Sequence, residues 1–248
     1  MLVSHRKNFI FTKTVKTAGT SVEAYFEKWC MPDGEWQPLH VREEYVSDAG
    51  IIGKRADKPS DATWYNHMSA YNIRHLLGDD AWREYFKFTA VRNPFDKLVS
   101  GFFMFWKQKQ ANQLARSVDT RELEIEQFRR WIRFLYKLIL KNQSLLDSPA
   151  VPHYLKPLEL SLVDRDKYLI EGKECVDFFV RHEDFQKDIQ QVCNILNIPY
   201  EAQQIQSLKK KVRYHKIPLR EYFDQPSKRL VETIYSWEIE RFGYDLPS

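Results

Sequence analysis

The sequence predicts an α/β fold with a central, mostly parallel sheet, and three observations carry that expectation. Short apolar runs of strand length stand at residues 8–12 (NFIFT), 87–91 (KFTAV) and 176–180 (VDFFV). Each runs into a turn and then into a segment whose apolar residues recur at three- and four-residue steps. That alternation of strand and helix is the pattern of strands joined by crossover helices.

The elements follow in order. Residues 8–12 form a buried strand ahead of the Gly19 turn. Val22, Tyr25, Phe26 and Trp29 then mark a helix, with Thr20 or Ser21 as its expected cap. Residues 30–65 carry Pro, Gly, Asp and Ser without a sustained period and read as loop with a short hairpin. Residues 68–77 are helical and stop at Gly78. The strand at 87–91 is broken by Pro94, which suits the first turn of a helix over 95–106. Residues 121–141 hold the longest helix, with Phe128, Trp131, Ile132, Leu135, Leu138 and Ile139 as its apolar stripe. The strand at 176–180 leads to a helix over 185–196, ended by Asn197-Ile198-Pro199. A last single helix is expected over 227–242, closing at Gly243.

Composition narrows the class. The chain has 248 residues, 43% of them apolar, enough for one sizeable core. No linker divides it, so one domain over 1–248 is expected. Abundant aromatics and few glycines exclude a disordered or fibrous chain. Thirty-eight Lys and Arg against 34 Asp and Glu leave a formal charge of +4, a mild bias compatible with an anionic ligand. Cys30, Cys175 and Cys193 fit neither a zinc spacing nor a disulfide framework and read as reduced thiols. There is no signal peptide and no apolar run long enough to span a membrane, which together predict a cytoplasmic protein.

Two motifs carry chemistry. The first, Phe11-Thr12-Lys13-Thr14-Val15-Lys16-Thr17-Ala18-Gly19-Thr20-Ser21, lies between a strand and a helix, where main-chain N–H groups and the helix dipole favour an anion. Gly19 permits close approach, the hydroxyls of Thr17, Thr20 and Ser21 are donors, and Lys16 adds charge. It is not a Walker A loop, because its lysine precedes the glycine. The second, Val91-Arg92-Asn93-Pro94-Phe95-Asp96-Lys97-Leu98-Val99-Ser100, follows the next strand. An arginine there forks onto phosphate oxygens, and Ser100, eight residues on, offers a hydroxyl.

Together these motifs resemble the two nucleotide-binding motifs of PAPS-dependent sulfotransferases (PAPS being 3'-phosphoadenosine-5'-phosphosulfate). They are most similar to the carbohydrate sulfotransferases of the heparan sulfate 2-O-sulfotransferase type and their small bacterial relatives, sulfotransferase family 2. The similarity extends through 176–185, the segment at 219–224 and Phe242-Gly243-Tyr244. The resemblance implies a P-loop-like three-layer α/β/α fold in a single domain. It also implies that Lys16, Thr17, Ala18, Gly19, Thr20 and Ser21 hold the phosphosulfate of PAPS, and that Arg92 and Ser100 hold its 3'-phosphate. Val15 departs from the proline usual before the lysine.

Sulfuryl transfer needs an in-line arrangement and charge stabilisation, with no obligatory metal. Lys16 is the residue placed to neutralise the leaving phosphate. The acceptor hydroxyl needs a base, and histidine suits neutral pH. His67, ahead of a helix and upstream of the second strand, matches the position of the family's catalytic histidine; His40 and Glu43 are the reserve candidates. In the family a basic segment closes over the donor, and in the run at 209–216 Lys211 and Arg213 are the residues assigned to it. The acceptor is expected to be a hydroxyl-bearing glycan, with no nucleic acid partner. Two other readings stand beside this one: a nucleotide-dependent kinase of related fold, and a non-enzymatic anion- or RNA-binding module using the 209–216 run.

Overall fold

The computed structural model describes residues 1–56, 59–111, 121–148, 150–205 and 217–247. The strands are β1 (Leu2–Ser4), β2 (Phe9–Thr12), β3 (Tyr45–Ser47), β4 (Gly50–Ile52), β5 (Phe86–Val91), β6 (Leu169–Ile170), β7 (Lys173–Glu174) and β8 (Phe178–Arg181). The α-helices are α1 (Gly19–Phe26), α2 (Ala70–Leu77), α3 (Asp79–Glu84), α4 (Pro94–Ala111), α5 (Arg121–Lys141), α6 (Gln143–Asp147), α7 (Phe185–Ile195), α8 (Leu219–Tyr222), α9 (Gln225–Ile234) and α10 (Ser236–Phe242). Two compact units divide the chain. The first holds Met1–Val91, Ser148–Lys156 and Asp164–Lys209, the second Arg92–Asp147, Pro157–Val163 and Lys210–Ser248.

The first unit carries a six-stranded sheet in the order β3-β4-β1-β2-β5-β8. The α/β class with a central sheet is as expected, and β2, β5 and β8 are the parallel part. β1, β3 and β4 extend it as an antiparallel flank. Alternation along β2 covers both faces: Phe9 and Phe11 pack with Val22 and Phe26 of α1 and with Ile189 and Val192 of α7. Ile10 points the other way, into a core with Trp64, Met68, Ile73 and Trp82. Two helix-covered faces make this unit three-layered. Each buried Phe of the first face contributes about 1.5–3 kcal/mol. Gly50 is fixed by its φ of +156° and by the Val3 carbonyl oxygen, which any Cβ would overlap.

Register puts Thr12 opposite Thr89, and the Thr89 hydroxyl donates to the Thr12 carbonyl at 2.7 Å. Because β2 and β5 are parallel, both run out at the same edge of the sheet.

The second unit is helical. Phe128 of α5 packs against Phe223 at 5.0 Å and Tyr222 at 5.2 Å, and Phe95 meets Phe223 at 5.2 Å. α9 opens with a capping box between Asp224 and Ser227. The single helix expected over 227–242 is two, because Tyr235 leaves the helical region (φ −112°, ψ 29°). Its hydroxyl instead donates to the Leu162 carbonyl at 3.0 Å. No described helix is long and apolar enough to cross a membrane.

Candidate active site

The first motif is a loop held open by its main chain. Lys16 and Ala18 both adopt left-handed conformations, with φ of 63° and 66°. For residues other than glycine this is a strained choice, and it persists only where surroundings enforce it. The enforcement is visible. The Thr14 hydroxyl donates to the Ala90 carbonyl of β5 and accepts from the Thr17 hydroxyl at 2.7 Å. The Val15 N–H donates to Asp164 Oδ2 at 2.6 Å. The expected cap by Thr20 or Ser21 does not form. Ala18 is the N-cap residue, without a side-chain cap, and Thr20 and Ser21 lie in the first turn of α1.

The consequence is a set of donors. Among the described residues, no acceptor takes the N–H groups of Thr17, Ala18, Gly19 or Thr20. Alternating backbone hands leading into a helix N-terminus make a concavity lined by N–H groups, suited to phosphate or sulfate oxygens. Thr17 is buried and spends its hydroxyl inside the loop, so its donor toward a ligand is the main-chain N–H. Lys16, Ala18 and Ser21 are half-buried at the rim. Gly19 is needed for packing: a Cβ would sit 2.9 Å from Lys13 Cγ and 3.3 Å from the Thr14 carbonyl oxygen.

Behind the loop lies a buried ionic ladder. Lys13 Nζ meets Glu23 Oε2 at 2.5 Å, and Arg55 bridges Glu23 and Glu27 at 3.0 Å each. Arg42 adds a contact to Glu27 at 3.2 Å, and both glutamates are fully buried. Burial alone would raise the Glu23 carboxyl, but Lys13, the chain's amino group and Arg55 outweigh it and hold it at about 2. Glu23 and Glu27 are one turn apart, so a single helical face fixes the segment around residues 39–55 to the back of the anion loop.

His67 stands against this loop. Its Nδ1–H donates to the Lys13 carbonyl at 3.0 Å, which fixes the tautomer and leaves the lone pair on Nε2. Met68 is buried in the core, and Ser69 caps α2 by accepting from the Asn72 N–H at 3.2 Å, so both neighbours lock the imidazole's placement. His67 is itself left-handed, at φ 58°. Burial, then the Lys13 ammonium and His153, push its conjugate acid well below the ordinary histidine value. The ring is therefore neutral across physiological pH. His153 lies edge-on to it at 5.5 Å and stacks on Tyr65 at 5.8 Å.

The second motif opens the other unit. Arg92 makes a two-pronged contact to Asp96 Oδ2, at 2.8 Å from Nε and 2.5 Å from Nη2. Asn93 Oδ1 accepts from the Phe95 N–H at 3.0 Å, and its amide donates to the Asp245 carbonyl at 2.7 Å. These contacts set the strand-to-helix turn and hold the guanidinium plane on the α4 side. Ser100 is half-buried, two turns on from Arg92.

The structure thus brings Lys16 through Ser21 and His67 together within one unit. His40 and Glu43 are exposed, and Glu43 pairs with Lys54 at 2.9 Å. Lys211 and Arg213 lie outside the described residues. Sequence reasoning missed Asp164, His153 and the glutamates of α1. Asp164 and His153 fall in a stretch without periodicity, and no local pattern marks Glu23 and Glu27 as buried. A family model described as a sulfotransferase family matches residues 1–245. Curated proteins and solved structures yield no match.

Proposed function

The chain belongs to the sulfotransferase family, and on that premise we propose that it transfers a sulfuryl group from PAPS to a hydroxyl of a carbohydrate, with His67 as the base. Family membership supports sulfuryl transfer over the kinase and RNA-binding readings. The single observation that carries the finer reading is the His67 imidazole, its Nε2 lone pair fixed by the Lys13 carbonyl, beside a loop with four unspent N–H donors.

The loop residues fit a phosphosulfate: main-chain N–H groups from Thr17 to Thr20, the hydroxyls of Thr20 and Ser21, and the Lys16 ammonium suit anionic oxygens. PAPS supplies an activated sulfuryl group on a phosphate leaving group. Lys16 and the N–H groups hold the negative charge that grows at the leaving oxygen. Arg92 and Ser100 are assigned to the 3'-phosphate. His67 Nε2 takes the acceptor hydroxyl proton as its oxygen becomes bonded to sulfur. Burial makes this imidazole a weak base and favours its neutral, proton-accepting form. The carbohydrate acceptor follows from the family resemblance.

The test is calorimetry with the product nucleotide PAP, followed by transfer of labelled sulfate from PAPS to a panel of glycans. Binding and transfer are both expected. His67→Asn keeps a residue tolerant of the left-handed backbone and removes the base. It is expected to lower kcat by about 10²–10⁴-fold with PAP affinity unchanged. Retained turnover in that variant would remove His67 from the mechanism.

A further inference from the structure

An aspartate ahead of a short helical turn ordinarily gives its carboxylate to that turn's own N–H groups. Asp164 stands in that place, before the single 3-10 turn Arg165–Lys167, and does not cap it. It is 1% exposed. Its Oδ2 instead accepts from the Val15 N–H, 149 residues earlier in the chain, at 2.6 Å. The turn that carries it is itself anchored. The Lys167 N–H donates to the Asp164 carbonyl at 3.1 Å. The buried Lys167 ammonium meets both oxygens of Asp166 at 2.7 Å. Tyr168, also buried, packs edge-on against Phe179 of β8 at 5.8 Å. The carboxylate therefore reaches the first-motif loop from a fixed support on the sheet.

Val15 directly precedes the left-handed Lys16, and Ala18 follows with the same hand. Residues with a Cβ leave that conformation when nothing holds them. A carboxylate is also an unfavourable neighbour for a loop that binds anions, since like charges repel. A neutral acceptor would satisfy one N–H equally well in number. A charge-assisted bond is the stronger one, so this arrangement gives up some attraction for the ligand in return for a rigid loop. We propose that Asp164 is the positioning residue of the donor site. Through the Val15 N–H it holds Lys16 and Ala18 left-handed, so that the N–H groups of Thr17 to Thr20 are arranged before the phosphosulfate arrives. It acts through the loop and not on the ligand. The proposal rests on the reading of this loop as the phosphosulfate site.

The test uses the full chain and two readouts, calorimetry with PAP and amide hydrogen exchange followed by NMR. In the unaltered chain the Val15 amide is expected to exchange at least about a hundredfold slower than an open amide. Asp164→Ala is expected to speed Val15 exchange and to weaken PAP about tenfold, as if roughly one molecule in ten held the competent loop. Exchange in β5 is expected to stay level. Asp164→Asn keeps an acceptor and is expected to stay within about threefold of the unaltered chain on both readouts. A residue serving stability alone would lower the folded fraction and leave the PAP affinity of folded molecules unchanged. Asp164→Ala binding PAP as tightly as the unaltered chain, or Asp164→Asn losing as much as Asp164→Ala, would overturn the proposal. So would a Val15 amide that exchanges freely in the unaltered chain, the measurement that decides should Asp164→Ala fail to fold. A chain that binds no PAP, yet frees its Val15 amide on Asp164→Ala, keeps the hold on the loop and loses the nucleotide reading. One that binds PAP alike with and without the carboxylate does the reverse.

Discussion

The two strand exits proposed to bind anions are built in opposite ways. After β2, the chain itself bends: two left-handed residues, an aspartate on the Val15 N–H and a hydroxyl chain to β5 leave main-chain donors unspent. After β5, the main chain is ordinary, and a side chain, Arg92, is oriented by another side chain, Asp96. A main-chain site is hard to alter by substitution without disturbing folding. A side-chain site is open to removal one group at a time.

That contrast is sharpest at Lys16, the one charged side chain assigned at the first exit. Lys16→Met is expected to lower kcat by about 10²–10³-fold, because the main-chain donors remain but the leaving-group charge is unmet. Single-turnover rates with saturating PAPS measure this, and a change in PAP affinity alone would break the contrast. Arg92→Lys keeps the charge and loses the fork. PAP affinity is expected to fall by about 1.5–3 kcal/mol, roughly ten- to hundredfold, with kcat nearly level; calorimetry reads it. Gly19→Ala probes the main chain directly. The Cβ pressing on Lys13 and Thr14 is expected to cost about 1–3 kcal/mol of folding stability in urea titration. Ser100→Ala at the second exit is expected to stay within about 0.5 kcal/mol.

Acid sensitivity, by contrast, belongs to the first unit. Burial, with Lys167 next, lowers His153 from the ordinary 6.5 to about 3, and His67 is lowered too. The unfolded chain therefore binds protons that the folded chain refuses, so stability is full above 6.5 and falls as pH drops from 6.5 toward 3. Glu23, held at about 2, adds stability that is present above its ordinary 4.5 and lost as pH falls toward 2. Thermal midpoints across this range should decline less steeply in His153→Gln.

Much of this was legible in the chain. Phe9, Phe11, Phe88 and Val180 announce the parallel strands because burial on both faces writes a continuous apolar run. The helix over 121–141 was readable to its ends because its stripe repeats for five turns. β1 was not: three residues, Leu2–Ser4, are too short to show a period, and their pairing with β2 and β4 is a tertiary choice. The strand-to-helix loop after β2 was legible by composition; its left-handed residues were not, since neither Lys16 nor Ala18 is a type that favours that region. Glu23, Arg55 and Glu27 find each other across about thirty residues, and His153 reaches His67 across more than eighty; no local pattern carries such pairings.

Lys13 has two tasks on one residue: its carbonyl holds the His67 imidazole, and its ammonium grips the helix behind the first-motif loop. Imidazole and loop are thereby yoked, and neither can drift without dragging the other. Descendants of this chain that acquire new acceptors would accordingly be expected to diverge elsewhere, while the yoke itself stays as it is.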